Sequence, residues 1–216
     1  MVIAGGLPLN SSTDRNRWDW RSPLSGWVWP AGADLRRAGH ALVRKRDTGV
    51  VDFALYPAAS TAMLALSLAA SERDDAAICA VLFLCGLAAW PLVEYAIHRF
   101  AYHRVAGLAD LHGLHHDNPG AAIGVPSWLS LVLFVLAGFV PLWPLLGAPY
   151  AAAVLSGLML GYGCYIALHH AVHRWPLGPS SLLYRAKLRH LRHHREEDCN
   201  FGVTSEIWDR VFGTRR

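Results

Sequence analysis

The sequence predicts an all-α integral membrane fold, with four transmembrane helices in two hairpins capped by a cytosolic, helical, histidine-rich domain. Three observations carry this. The 216 residues are 53% hydrophobic with a mean hydropathy of +0.24, too apolar for an ordinary soluble domain. Long stretches contain no Asp, Glu, Lys or Arg. All of the 12 histidines except His40 fall into four groups, each at or just beyond one end of such a stretch.

Residues 1–52 are read as a cytosolic N-terminal segment. Asp14, Arg15, Arg17 and Asp19 interrupt its start, so no cleavable signal peptide is expected there. Residues 53–216 are read as one membrane domain. Its first span covers about 53–71, where an uncharged run at about 1.5 Å per residue nearly matches a hydrocarbon core of roughly 30 Å. The second covers about 76–93, separated from the first only by Ser71-Glu72-Arg73-Asp74-Asp75, which makes a tight hairpin. From Asn118 to His173 no Asp, Glu, Lys or Arg appears, and Gly147-Ala148-Pro149 breaks this length into spans of about 126–146 and 150–170. The remaining 94–117 and 171–216 form the cap. Cys79, Cys85, Cys164 and Cys199 match neither a disulfide framework nor a CxxC site and are read as packing residues.

Charge orients the spans. Arg36, Arg37, Arg44, Lys45 and Arg46 precede the first, while Arg174, Arg185, Lys187, Arg189, Arg192 and Arg195 follow the fourth. Short basic segments stay on the cytoplasmic side, so both termini and every histidine group face the cytoplasm. That membrane is the inner membrane in a bacterium or the endoplasmic reticulum in a eukaryote. The basic excess reads as topology and headgroup contact, with no nucleic-acid motif beside it.

The histidine spacings suit metal. His112, His115 and His116 form an i, i+3, i+4 set, and His190, His193 and His194 repeat it, so on a helix each set aims several imidazoles one way. His169 and His173 share a face. His98 and His103, at i, i+5, do not share one on a straight helix, which predicts that the helix ends or bends between them. Neutral imidazole ligates iron, zinc, copper and nickel. Ten ligands divided five and five would fill two metal sites with positions left for exchangeable groups. His40 reads as an interfacial anchor, and His170, turned away from its neighbours, as a packing residue or one supporting a ligand from behind.

The residues resemble the fatty acid hydroxylase superfamily, which includes sterol desaturases and fatty acid 2-hydroxylases. The resemblance runs from about Trp90 to Thr214, through Glu94-Tyr95-Ala96-Ile97-His98-Arg99-Phe100-Ala101-Tyr102-His103, His112-Gly113-Leu114-His115-His116, and Gly161-Tyr162 leading to His169 and His173. It continues through His190-Leu191-Arg192-His193-His194, Asn200-Phe201-Gly202 and Trp208-Asp209-Arg210-Val211-Phe212-Gly213-Thr214. It implies a dinuclear centre of two iron ions, replaceable by zinc in a purified sample, with His98, His103, His112, His115, His116, His169, His173, His190, His193 and His194 as ligands. Molecular oxygen is the implied oxidant and a lipid the substrate. Glu94, Asn200 and Asp209 stand in motif positions and are expected to orient imidazoles through hydrogen bonds or to build the scaffold.

Three departures concern the substrate. Fatty acid 2-hydroxylases typically carry an acidic residue where this chain has Ile166, and a Pro-x-Asp where it reads Asn118-Pro119-Gly120-Ala121, with only Pro126 where a Pro-Pro is common. The resemblance implies hydroxylation or desaturation of an unactivated C–H position, with electrons from a separate ferredoxin or b-type cytochrome with its reductase. A lipid tail is expected near Trp90, Trp128 and Trp143, which also suit an interfacial belt. The alternatives are a carotenoid or sterol-ring oxidase of the same di-metal type, a divalent-metal binding or transport protein, and an inactive lipid-binding relative. Transport would place ionisable groups along a path inside the spans, and the spans are nearly free of them.

Overall fold

A computed structural model of the chain describes residues 49–119 and 127–216. Most of the predicted N-terminal segment, with His40 and the basic run Arg36–Arg46, lies outside the described residues, as do Gly120, Ala121 and Pro126. Among the described residues every regular element is helical.

Helix α1, Gly49–Ala70, begins ahead of the uncharged run, taking Asp52 into its first turn. A short 3-10 turn, Arg73–Asp75, leads directly into α2, Ala76–Ala96. That helix does not stop at the expected boundary near 93 but continues as a π-helical turn, Ile97–Tyr102, with His103 capping it. The cap then contributes α3, Leu108–Asp117. The third span is composite: α4, Ser127–Leu133, a π-helical stretch Phe134–Phe139, and α5, Val140–Leu146, containing Pro141 and Pro144. Proline removes a backbone donor and crowds the preceding turn, and local π widening is one way a membrane helix absorbs it. Gly147, at φ 82° and ψ 158°, makes the predicted break, and α6, Ala148–Arg174, starts at once with Pro149 in its first turn. Helices α7, Tyr184–His193, and α8, Ile207–Val211, complete the cap.

Among the described residues, four stretches are long and apolar enough to cross a membrane: Val51–Ala70, Arg73–Tyr102, Trp128–Leu146 and Ala148–Arg174. Of the most apolar window of each, 67% is buried in the fourth against 17%, 17% and 6% in the others, so α6 is the axis on which the rest pack. Lipid gives little hydrophobic drive for helices to associate, so contact depends on close approach. Here glycine supplies it. A Cβ on Gly157 would lie 2.0 Å from the Phe83 carbonyl oxygen, one on Gly86 2.1 Å from that of Val154, and one on Gly161 2.4 Å from the Trp90 Cβ. The α2 and α6 backbones therefore touch, and Tyr56, Trp90, Leu155, Met159, Tyr162, Tyr165 and Ile166 form the core around that contact.

Both hairpin turns lie at the same end. The Tyr150 hydroxyl, at the start of α6, donates to the Asp75 carboxylate at 2.8 Å, and Ser67 of α1 donates to the Pro149 carbonyl at 2.7 Å. The histidine-bearing ends of α2 and α6 consequently emerge together at the other end, beneath α3 and α7.

Candidate metal centre

At that end the ten predicted imidazoles converge into two groups of five. The first contains His98, His103, His112, His116 and His193; the second contains His115, His169, His173, His190 and His194. Within each group, one ring nitrogen per residue lies within 4.8 Å of every other. The π turn explains how His98 and His103 join one group. Where backbone hydrogen bonds span i to i+5, residues five apart come close to a common face, so a widened turn stands where an end or bend was expected, and the helix ends only at His103. The HxxHH sets divide between the groups: His112 and His116 go one way and His115 the other, while His190 and His194 go one way and His193 the other.

The spacing fits metal. At a metal-to-imidazole distance of about 2.0–2.1 Å, ligands at right angles sit about 2.8–3.0 Å apart. In the first group the Nε2 atoms of His98 and His112 are 3.0 Å apart, those of His112 and His116 3.0 Å, and those of His103 and His193 3.1 Å. In the second the corresponding separations are 3.2 Å for His115 and His169, 2.8 Å for His173 and His190, and 3.0 Å for His190 and His194. Burial holds the His103 and His194 imidazoles down to about 4 and His115 to about 3, and the repulsion that any second protonated imidazole would meet adds to the effect at His115 and, with Arg104, at His103. His112, His116, His190 and His193 are pushed down mainly by burial as well. The rings are therefore neutral at pH 7, the form that ligates metal.

Tautomers are set from behind in the first group. His98 Nδ1 lies 2.6 Å from the Phe201 carbonyl oxygen and His193 Nδ1 2.8 Å from that of Cys199, so each donates there and turns the Nε2 lone pair inward. Three expected polar residues hold this carbonyl-bearing loop. Asp209 accepts from the backbone N–H groups of Phe201 and Gly202, each at 2.8 Å, and from the Thr214 hydroxyl at 2.7 Å. Asn200, at φ 53°, exchanges hydrogen bonds with the Arg216 backbone: its Oδ1 accepts at 2.9 Å and its Nδ2 donates at 3.1 Å. Glu94 of α2 accepts from the backbone of Val203 at 2.5 Å and Thr204 at 3.1 Å, and from the Thr204 hydroxyl. Gly202 is required at this turn, since a Cβ there would lie 2.0 Å from the Ser205 carbonyl oxygen. None of the three side chains bonds an imidazole; each acts through the loop. His170 lies outside both groups, edge-on to Phe53 with ring centroids 5.1 Å apart.

On the membrane side, Tyr165 stacks on His169 with centroids 5.4 Å apart, Trp90 and Tyr162 pack against Tyr165, and Phe134 packs against both of those. Trp90 is buried here, whereas Trp128 and Trp143 are 66% and 56% exposed on the outer surface, so the three do not share a lining. Glu197, passed over in the sequence, faces the first group, its carboxylate 3.8 Å from His103 Nδ1 and 3.7 Å from His116 Nδ1. Its nearness to the His193-His194 pair was the available signal, masked by the run of charges around it. The four cysteines are free thiols.

The chain also matches known proteins. The family model described as fatty acid hydroxylase matches residues 83–214. A dihydroceramide fatty acyl 2-hydroxylase of Arabidopsis thaliana is 35% identical over 164 residues, 69% of this chain and 66% of its own. The ceramide very long chain fatty acid hydroxylase of Saccharomyces cerevisiae is 35% identical over 62% of this chain and 37% of its own, and the fatty acid 2-hydroxylase of Rattus norvegicus 32% over 62% and 39%. The chain thus spans just under two thirds of the plant relative's length and less than two fifths of the other two. The solved structure of full-length scs7p, with only its hydroxylase domain visible, superposes with a TM-score of 0.68 at 29% identity, covering 78% of this chain and 66% of that one.

Proposed function

The chain belongs to the fatty acid hydroxylase family, and from that premise we propose that it is a membrane oxygenase that hydroxylates an unactivated C–H position on the acyl chain of a lipid. The observation that carries this reading is the pair of five-imidazole groups at one end of four apolar helices, seated on a buried aromatic floor. Iron is the proposed metal of both groups, with zinc accepted by the same nitrogen set. Bound there, the metal pair would supply the activation of O2 and the oxidising power that side chains lack.

The protein's own part is to hold and to exclude. His98, His103, His112, His116 and His193 would hold one ion, and His115, His169, His173, His190 and His194 the other. The Phe201 and Cys199 carbonyls keep two of these rings in the ligating tautomer. Trp90, Tyr162 and Tyr165 close the membrane side of the centre against water, which limits side reactions of a reactive oxidant. The lipid chain would reach the centre past this floor. The names of the relatives make carbon 2 of an acyl chain the first position to test, and Ile166, in place of an acidic residue, bears on which headgroup or acyl carrier is accepted. Loss of a second hydrogen would give an alkene instead of an alcohol. Arg185, Lys187, Arg189, Arg192 and Arg195 lie beside the histidine end, which supports a cytoplasmic orientation. Electrons would come from a separate ferredoxin or b-type cytochrome system.

Lipid mass spectrometry of host membranes, with and without the chain and with His193→Ala, tests the proposal. A lipid heavier by one oxygen that appears only with the intact chain supports it. An unchanged lipidome, with metal and reductant verified, would sink it in favour of metal binding.

A further inference from the structure

The two histidine groups differ in what stands behind them. In the first, the segment Glu197–Phe201 meets four of the five rings from the outside. Cys199 and Phe201 accept from His193 and His98, and the Glu197 carboxylate faces His103 and His116 at 3.8 and 3.7 Å, beyond hydrogen-bond length but within Coulomb reach. His116 Nδ1 itself makes no hydrogen bond. In the second group, the Nδ1 atoms of His115, His169 and His190 are buried with no hydrogen-bonding protein partner among the described residues.

That difference bears on affinity. An acceptor on the outer nitrogen fixes the tautomer before metal arrives and raises the basicity of the inner nitrogen, and losing such a partner typically costs about 10–100-fold in metal affinity. A cation polarises the outer N–H further, so a buried N–H with no acceptor is penalised more once metal binds. The Glu197 carboxylate would also place negative charge against two rings of the first group.

We propose, resting on the metal reading above, that the two sites bind divalent metal with unequal strength. The His98 group fills first and empties last, and the Glu197–Phe201 segment sets the order. Glu197 is then a positioning residue for the first site, acting on His103 and His116, and Asp209 acts at one remove by holding the Phe201 carbonyl.

The test is a titration of the metal-free full chain in detergent with Co2+, followed by its visible absorption and by metal content after graded chelation. Two steps separated by about tenfold or more are expected, matching the loss of one outer-nitrogen partner or more. His112→Ala should delete the tighter step and His173→Ala the weaker. Glu197→Gln, at a surface position, should leave helicity and elution volume unchanged while narrowing the gap between steps and shifting the spectrum of the first. Two equal steps overturn the proposal, as does a tight step that survives His112→Ala but not His173→Ala, or a gap that Glu197→Gln leaves unmoved. Absence of Co2+ binding by the unaltered chain would overturn the metal reading itself, an outcome distinct from any of these.

Discussion

The bundle and the cap of this protein are held together by opposite means. Between α2 and α6 the contact is made by atoms that are absent: glycines 86, 157 and 161 let backbone meet backbone and ring, and a side chain there has nowhere to go. The cap is held by polar groups that are present and matched. Glu94, Asn200 and Asp209 are each at most 3% exposed, and each is engaged by two or more hydrogen bonds. The bundle therefore tolerates changes of apolar side chain on its outer faces and resists additions at the crossing, while the cap resists any loss of a partner.

Substitutions can break or sharpen this contrast. The largest effect is expected in the cap, where His193→Ala removes a completely buried ring that also anchors to Cys199; the product of the proposed hydroxylation, followed by mass spectrometry, should fall by about 100-fold while membrane insertion persists. Next comes Gly157→Leu in the bundle. Overpacking of this kind costs about 1–3 kcal/mol or more, and the melting temperature of the detergent-solubilised chain should drop accordingly. Should Gly157→Leu melt like the parent, backbone contact is not what joins α2 to α6. Glu94→Gln keeps the shape but replaces one accepting oxygen with an N–H donor facing the Val203 and Thr204 donors. About 1–3 kcal/mol should be lost, seen as faster proteolysis in the 199–204 loop with the helices still protected. Smallest of all is Leu136→Ala on the third span, 60% exposed toward the surroundings of the bundle, for which a change within about 0.5 kcal/mol in thermal stability is expected. A large loss there would mean that this outer face is covered by something else.

Much of the fold was legible because membrane helices obey coarse rules. Charge-free runs and the Gly147 break give the spans, and the fourth ends near where the uncharged stretch does. The second was underestimated because Glu94, His98 and Arg99 resemble an exit from the membrane, yet Glu94 is matched by Thr204 and Val203 from a loop more than one hundred residues later, which no local pattern reveals. Eight of the ten candidates were legible in i, i+3, i+4 or i, i+4 spacing, while His98 and His103 were legible only through the family resemblance. How they divide was not, because helices α3 and α7 each present rings to both groups, and His98 is brought to His103 by a π turn that 3.6-residue periodicity does not anticipate. Glu197 was hidden among exposed charges, and Trp128 and Trp143 look like Trp90 in sequence while facing the opposite way.

The hydrogen bond from His98 to the Phe201 carbonyl joins residues 103 positions apart. At about 5–20 residues per second, a ribosome needs roughly 5–20 s to travel between them. Throughout that interval α2 can already be seated in the bilayer with its histidines at the water's edge and nothing behind them. A cluster of this design is finished only after the helices that carry it, so the rings on α2 wait for a loop that leaves the ribosome about one hundred residues later.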